Sequence, residues 1–208
     1  MSDHSGSGQI RAYREDDRPS LYQICVLTAD AGGDARGMWA TDDLMPDLFA
    51  APYVLLAPQL SFVLEDAGGV VGYVTGTADT AAFARAYRER YIPLMLDRYP
   101  VPDRPPVTPD EHMVSLHHDP ERLLLTELAG YPAHLHIDLL PSHQGRGYGR
   151  AMMAAMLSAL AAEGAGAVHV GMLTANVRAR KFYDRLGFHE IAVADPGPLT
   201  YLGRATAA

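Results

Sequence analysis

The 208-residue chain is 48% hydrophobic and 20% charged, enough apolar material for one sizeable core, and is expected to form a single domain over 9–208 behind a flexible tail at 1–8. Its formal net charge of -8 excludes a surface built for nucleic acid or an anionic membrane, so any anionic ligand has to be held locally. One cysteine, Cys25, excludes an internal disulfide or a cysteine-rich metal site, and MSDHSGSG lacks the pattern of a signal peptide, which points to the cytoplasm.

In chain order, QIRAYR reads as a short strand, and Asp16 or Asp17 is placed to cap a helix through LYQICVLTA, where Cys25 sits among apolar residues as an inert thiol. DAGGDARG breaks the pattern before a second helical patch at 43–50. SFVLED and VVGYVTGTA, joined by a glycine turn, predict a hairpin. AAFARAYRERYIPLML is expected to be helical until Pro93 disturbs it, and YPVPDRPPVTPDE reads as a proline-rich loop without helix or central strand. EHMVSLHHD and RLLLTEL read as short strands, or a strand and a turn. The whole stretch 79–133 has the irregularity of an insertion, with His117 and His118 expected on a solvated loop or against an acceptor.

Regularity returns at HLHIDLL, a strand, followed by PSHQGRGYGR and a helix at about 147–163 whose Met152, Met153, Met156, Leu157 and Leu160 form one stripe. AVHVGML is an apolar strand. A further helix opens at Asn176 and carries Ala179, Phe182, Tyr183 and Leu186 at helical spacing until Gly187 stops it, and FHEIAV with TYLGRA closes the chain as paired strands.

The order strand, glycine turn, helix places unpaired backbone N–H groups at the positive end of a helix, which suits a phosphate or pyrophosphate. Gly145, Gly147 and Gly149 let that anion approach the backbone, and Arg146 and Arg150 add charge at the rim. A P-loop would need Lys followed by Ser or Thr after its last glycine. A dinucleotide fingerprint would need a glycine where Arg150 stands and an acid at the end of VHVGMLT. Neither is present. Gln144 to Gly149 resembles instead the Q/R-x-x-G-x-G/A loop of the GCN5-related N-acetyltransferases, and NVRARKFYDRLGF resembles that family's following segment. The N-terminal half and the insertion are similar, more loosely, to bacterial acetyltransferases related to the C-terminal domain of animal O-GlcNAcase.

The resemblance implies an α/β fold with a largely antiparallel central sheet flanked by helices, and acetyl-CoA as cosubstrate. It implies a pantetheine arm paired with the backbone of Ile137 and Leu139, and a pyrophosphate over Gln144, Gly145, Arg146, Gly147, Tyr148, Gly149 and Arg150, with Asn176 opening the next helix. It places Tyr183 beside the coenzyme sulfur as proton donor; the same ring also fits a buried stripe. A primary amine, on a small molecule or a protein, would be the acceptor, and the alternative is a coenzyme-binding or sensing module without efficient transfer. The oligomeric state stays open, a homodimer included.

Strand alternation puts His134, His136 and Asp138 on one face and Leu135, Ile137 and Leu139 on the other. The ionisable face is expected to meet a cleft, where a neutral histidine can take a proton from an attacking amine, with Asp138 as its substitute. HLH is similar to the paired strand histidines of serotonin N-acetyltransferase; both imidazoles equally fit a hydrogen-bonded wall. HLHID also resembles the HxHxDH motif of metallo-hydrolases, but Leu139 stands where that motif ends in histidine, so no metal is expected.

Overall fold

The computed structural model describes residues 8–207, so the tail expected at 1–8 lies, except for Gly8, outside the described residues. Seven strands form one mixed sheet: β1 (Gln9–Ala12), β2 (Ser61–Asp66), β3 (Gly69–Thr77), β4 (Ala133–Leu139), β5 (Ala167–Leu173), β6 (His189–Ile191) and β7 (Leu199–Ala205). Their order is β1-β2-β3-β4-β5-β7-β6, antiparallel throughout except where β4 meets β5. That parallel pairing joins only Ala133 to Val168 and His134 to His169, after which the two strands separate and leave the second half of β4 open on that edge.

Alternation in β2 and β3 sorts the core onto two sides of the sheet. Leu64 and Val74 face α7 (Tyr148–Ala162), whose Met152, Met153, Met156 and Leu160 are fully buried against them, as the sequence stripe predicts. Val63 and Tyr73 face α1 (Arg18–Thr28), packing on Leu21, Ile24 and Cys25. The Asp17 carboxylate does not cap α1. It binds the Arg11 guanidinium at 2.6 and 2.8 Å and the Arg14 N–H at 2.8 Å, tying β1 to the helix start. Two short helices follow, α2 (Leu44–Phe49) and α3 (Ala51–Leu56), covering the expected patch and one turn more.

The insertion is helical rather than stranded. α4 (Thr80–Ala86) runs through a π-turn at Tyr87–Tyr91 into α5 (Ile92–Met95), so Pro93 does not end the helix. It occupies the first turn after the π-turn, where a missing N–H costs little. EHMVSLH lies in α6 (Pro109–His117), which also takes the last three residues of the stretch expected to be helix-free, because Pro109 stands in the first turn behind a capping box in which Thr108 accepts from the Glu111 N–H and Glu111 accepts from the Thr108 N–H. RLLLTEL makes two 3-10 turns.

Buried Asp47 on α2 fastens the insertion. Its carboxylate accepts hydrogen bonds from the hydroxyls of Tyr22 and Tyr99 and pairs with Arg98 at 2.7 Å. His117 is fully buried among Tyr87, Tyr91 and Tyr99, with Nδ1 2.8 Å from the Tyr87 hydroxyl, so the solvated loop expected for it is not found. The apolar side of α6 packs on α2 and closes over that ring cluster. Among the described residues no helix is long and apolar enough to cross a membrane.

Candidate active site

Where β4 and β5 part, a cleft of about 660 Å³ opens between β4, the glycine turn, α7 and α8 (Val177–Arg185). Its floor at one end is the turn itself. Gly145 (φ 73°) and Gly147 (φ 89°) hold left-handed backbone at the start of α7, and a side chain on either would project into open space. That is the form of a cradle a polyphosphate can enter. Gly149 has a different reason: a Cβ there would come within 3.1 Å of the Phe182 ring, so this glycine lets α8 approach α7.

Gln144 links the turn to its neighbours. Its amide N–H donates to the Leu139 carbonyl at 2.8 Å, and its carbonyl accepts from Arg178 at 2.8 Å. His143 Nε2, 2.9 Å from Asp66, ties the preceding 3-10 turn to the β2–β3 hairpin. Cations gather along the same wall: Arg150, Arg178, Lys181 and Arg185 all line the cleft of a protein whose net charge is -8. Arg146 and Tyr148 were expected in this set, but their side chains do not line the cleft. The Arg146 guanidinium lies over the Tyr148 ring, which packs on the core while its hydroxyl accepts from the Gly8 N–H at 3.2 Å. Asn176 lines the cleft and caps α8, accepting from the Ala179 N–H at 2.9 Å.

The other wall is the open half of β4. The Leu140 N–H bonds Val71 on β3 at 3.0 Å, so by alternation Ile137 and Leu139 turn their backbone groups to the side from which β5 has departed. Both residues line the cleft, with Asp138, Thr28, Ala31, Gly32 and Tyr183. Asp138 Oδ2 accepts from the Tyr73 hydroxyl at 2.6 Å, and Oδ1 lies 2.9 Å from Thr28 Oγ1; burial raises its pKa and the two hydrogen bonds oppose this. Tyr183 is 7% exposed, packed edge-on against Phe182 and Phe188. Its hydroxyl has no hydrogen-bond partner among the described residues, and burial, with Asp138 nearby, pushes the phenol up. Cys25 is buried and its thiol likewise pushed up by desolvation, which leaves no thiolate for covalent chemistry.

The strand histidines share a face with Asp138 but do not line this cleft. His134 is a wall residue with both nitrogens occupied: Nε2 lies 2.7 Å from the Tyr53 hydroxyl and Nδ1 2.8 Å from Thr80 Oγ1. Burial holds it well below the usual histidine range. His136 is half-buried, with Nε2 3.1 Å from the same hydroxyl, and burial followed by the Arg122 charge brings its pKa to about 4. His169 packs beside His134 and bonds the Tyr131 carbonyl through Nδ1 at 2.8 Å. Among the described residues no group of three or more His, Cys, Asp or Glu is arranged to hold a metal ion.

Arg178, Lys181 and Arg185 recur at i, i+3 and i+7, a basic edge beside the apolar stripe that reading for hydrophobic period alone passes over. Tyr53, Thr80 and Thr28 carry no local signal. They reach β4 across separations of 81, 54 and 110 residues.

The family model described as Acetyltransferase (GNAT) domain matches residues 118–190, which run from the end of the insertion through the cleft. The crystal structure of SsHAT superposes with a TM-score of 0.94 at 58% identity, covering 97% of this chain and 100% of that one. Rat and mouse Protein O-GlcNAcase are 31% identical over 200 residues, 94% of this chain, which spans 22% of those proteins' length. The yncA protein of Salmonella typhimurium, solved with its cofactor acetyl-CoA, shares the fold at 17% identity, with a TM-score of 0.55 and 97% of each chain covered.

Proposed function

This chain belongs to the GCN5-related N-acetyltransferase superfamily and is an acetyl-CoA-dependent acetyltransferase, and we propose that it acetylates the primary amine of a small molecule or protein by direct attack within a ternary complex. One observation carries this reading. A single cleft joins a cationic, glycine-lined end fit for phosphates to an end where open β4 backbone, Asp138 and Tyr183 meet.

When bound, acetyl-CoA supplies a thioester carbonyl as the electrophile. The turn from Gln144 to Arg150 and the α8 cations hold the phosphates. Ile137 and Leu139 offer backbone groups to the pantetheine arm, and a β4 N–H near Leu139 stabilises the negative charge that develops on the carbonyl oxygen, worth about 3–4 kcal/mol when preorganised. The ionisable face of β4 receives the amine proton. Tyr183 directs its hydroxyl at the departing sulfur. A phenol with a raised pKa yields its proton reluctantly, so it serves mainly as a hydrogen-bond donor there. The buried, inert Cys25 supports direct attack over a route through an acyl-cysteine.

Initial rates measured against both substrates test the order of events. Intersecting reciprocal plots are expected. Parallel plots, with acetyl label trapped on the protein, would require an acetyl-enzyme and overturn direct attack.

A further inference from the structure

His136 and Asp138 on β4, Gly171 and Leu173 on β5 and Tyr201 on β7 lie on one face of the sheet, because His134 pairs with His169, Gly171 pairs with Tyr201, and side chains alternate along each strand. This is the face turned away from α7. Beyond the short β4–β5 pairing the strands part, and the face opens there into the coenzyme cleft, which Asp138 lines. Gly171 and Leu173 are exposed in mid-sheet, and the Tyr201 ring leans over Gly171, 3.2 Å from where a Cβ would stand. An amine that approaches the thioester from this face crosses the recess between His136 and Tyr201.

The end of the insertion forms the rim of that recess. Leu123 packs on the cluster holding Tyr53 and Phe83, whose rings stand against His136 and His134. Glu127 accepts from the Ala194 N–H at 3.0 Å, and the Tyr131 ring fills the space over Gly203 on β7. Arg122 belongs to this rim and is half-buried. Its Nη1 donates to the Leu116 carbonyl at 2.8 Å and to the Asp119 carbonyl at 2.9 Å, which fixes the guanidinium. Nε and Nη2 donate to no described residue, and the adjacent acid, Glu121, is taken by Arg88. After burial, the Arg122 charge is the next influence on Tyr53, Tyr87, His136 and Tyr201, and it pulls the pKa of each down. Those side chains come from α3, the π-turn, β4 and β7, so the cation stands among them. A half-buried guanidinium with unspent donors and no carboxylate to meet them suits an oxyanion brought by a ligand.

We propose that Arg122 anchors an anionic group of the acceptor, so that the amine acetylated belongs to a molecule bearing a carboxylate or a phosphate. The amine in this statement rests on the acetyl-transfer reading; the anion rests on the surroundings of Arg122 alone. His136 and Asp138 are two residues apart on β4, so an anion held beside His136 lies about 7 Å or more from the end of the strand where the thioester is placed. That separation excludes the α-amino group of a free amino acid, whose carboxylate is two bonds away. It fits an ω-amino acid, a short peptide or a phosphorylated aminosugar. A net charge of -8 gives such a ligand no long-range attraction, which leaves selection to the one cation fixed at the recess.

Matched acceptors test the proposal on the full-length protein with acetyl-CoA: an ω-amino acid against its neutral amide, and a phosphorylated aminosugar against the unphosphorylated sugar. In at least one pair the anionic member should have a kcat/KM roughly 10- to 100-fold above its neutral partner, the worth of a charge-assisted contact, and Arg122→Gln should bring that ratio close to one, mainly through KM. The pair that shows the preference tells carboxylate from phosphate. Equal kcat/KM within every pair that turns over, or a ratio unchanged in folded Arg122→Gln, would overturn the proposal. A second readout needs no turnover. The Arg122 Nε–H resonance of the wild-type protein saturated with acetyl-CoA, assigned by its loss in Arg122→Lys, should shift saturably on titration with acetate or inorganic phosphate at constant ionic strength. An unmoved resonance would overturn the anchor, whereas a saturable shift in a protein that acetylates no amine would refute the transfer reading and leave the anion site standing.

Discussion

Tyr73 and Asp138 lie directly opposite each other on β3 and β4, and the Tyr73 hydroxyl donates to Asp138 Oδ2 at 2.6 Å. Asp138 lines the cleft with Tyr73 buried behind it, and burial raises the Asp138 pKa against the pull of this bond. A carboxyl whose pKa is higher folded than unfolded binds its proton more tightly when folded. Stability is therefore lost as pH rises from the unfolded value of about 3.9 toward the folded one. Asp138→Asn keeps one donor and one acceptor and does not titrate. Its unfolding free energy relative to wild type should improve as pH rises above about 4 and level off once the folded carboxyl ionises; a difference that does not change with pH above about 4 would contradict the raised pKa.

Three buried histidines, His117, His134 and His169, and the half-buried His136 act with the opposite sign. Burial depresses His117, His134, His136 and His169, so below about pH 6.5 the unfolded chain takes up protons that the folded one refuses. Full stability is present above that pH and is lost as pH falls toward about 4, the value for His117 and His136. His117 alone, with no exposed surface, should account for a loss on the order of 3 kcal/mol. Urea unfolding at a series of pH values checks this, and a flat profile between about pH 7 and 4.5 would contradict it.

Tyr183→Phe keeps the ring against Phe182 and Phe188 and removes only the hydroxyl. If that hydroxyl meets the coenzyme sulfur, turnover falls by about 10- to 1000-fold while melting temperature and acetyl-CoA affinity stay near wild type. Full activity in the folded variant would return Tyr183 to a packing role.

Arg178 and Lys181 line the cleft proposed to hold the coenzyme phosphates, and Arg178 also donates to the Gln144 carbonyl. Replacing both with Ala should weaken acetyl-CoA binding by roughly 10- to 100-fold, the worth of one or two charge-assisted contacts, and flatten the salt dependence of the dissociation constant. The thermal stabilisation given by a fixed acetyl-CoA concentration should shrink accordingly. An unchanged dissociation constant would move the phosphates elsewhere.

The β4 face, the glycine turn and the α7 stripe were legible because each is a local pattern: alternation, left-handed glycines, 3.6-residue periodicity. The insertion was harder. Proline density masked α6, although Thr108-Pro109-Asp110-Glu111 spells a helix start, and Pro93 falls where a π-turn makes it harmless. Alternation put His134, His136 and Asp138 on one face but gave no account of what covers them. That depends on Tyr53 and Thr28, which hydrogen-bond these side chains from far away in the chain. His117 looked exposed beside His118 and Asp119 because its burial comes from Tyr87, Tyr91 and Tyr99, brought around it by tertiary packing.

The central claim is transfer of acetyl to a primary amine. Purified full-length protein, incubated with acetyl-CoA and a library of aminosugars, small amines and peptides, is assayed for free thiol and for acetylated product by mass spectrometry. The account predicts at least one amine for which thiol release and product formation match in stoichiometry and far exceed hydrolysis. Firm acetyl-CoA binding with thiol release at the uncatalysed rate for every amine would contradict it and make the protein a coenzyme-binding module.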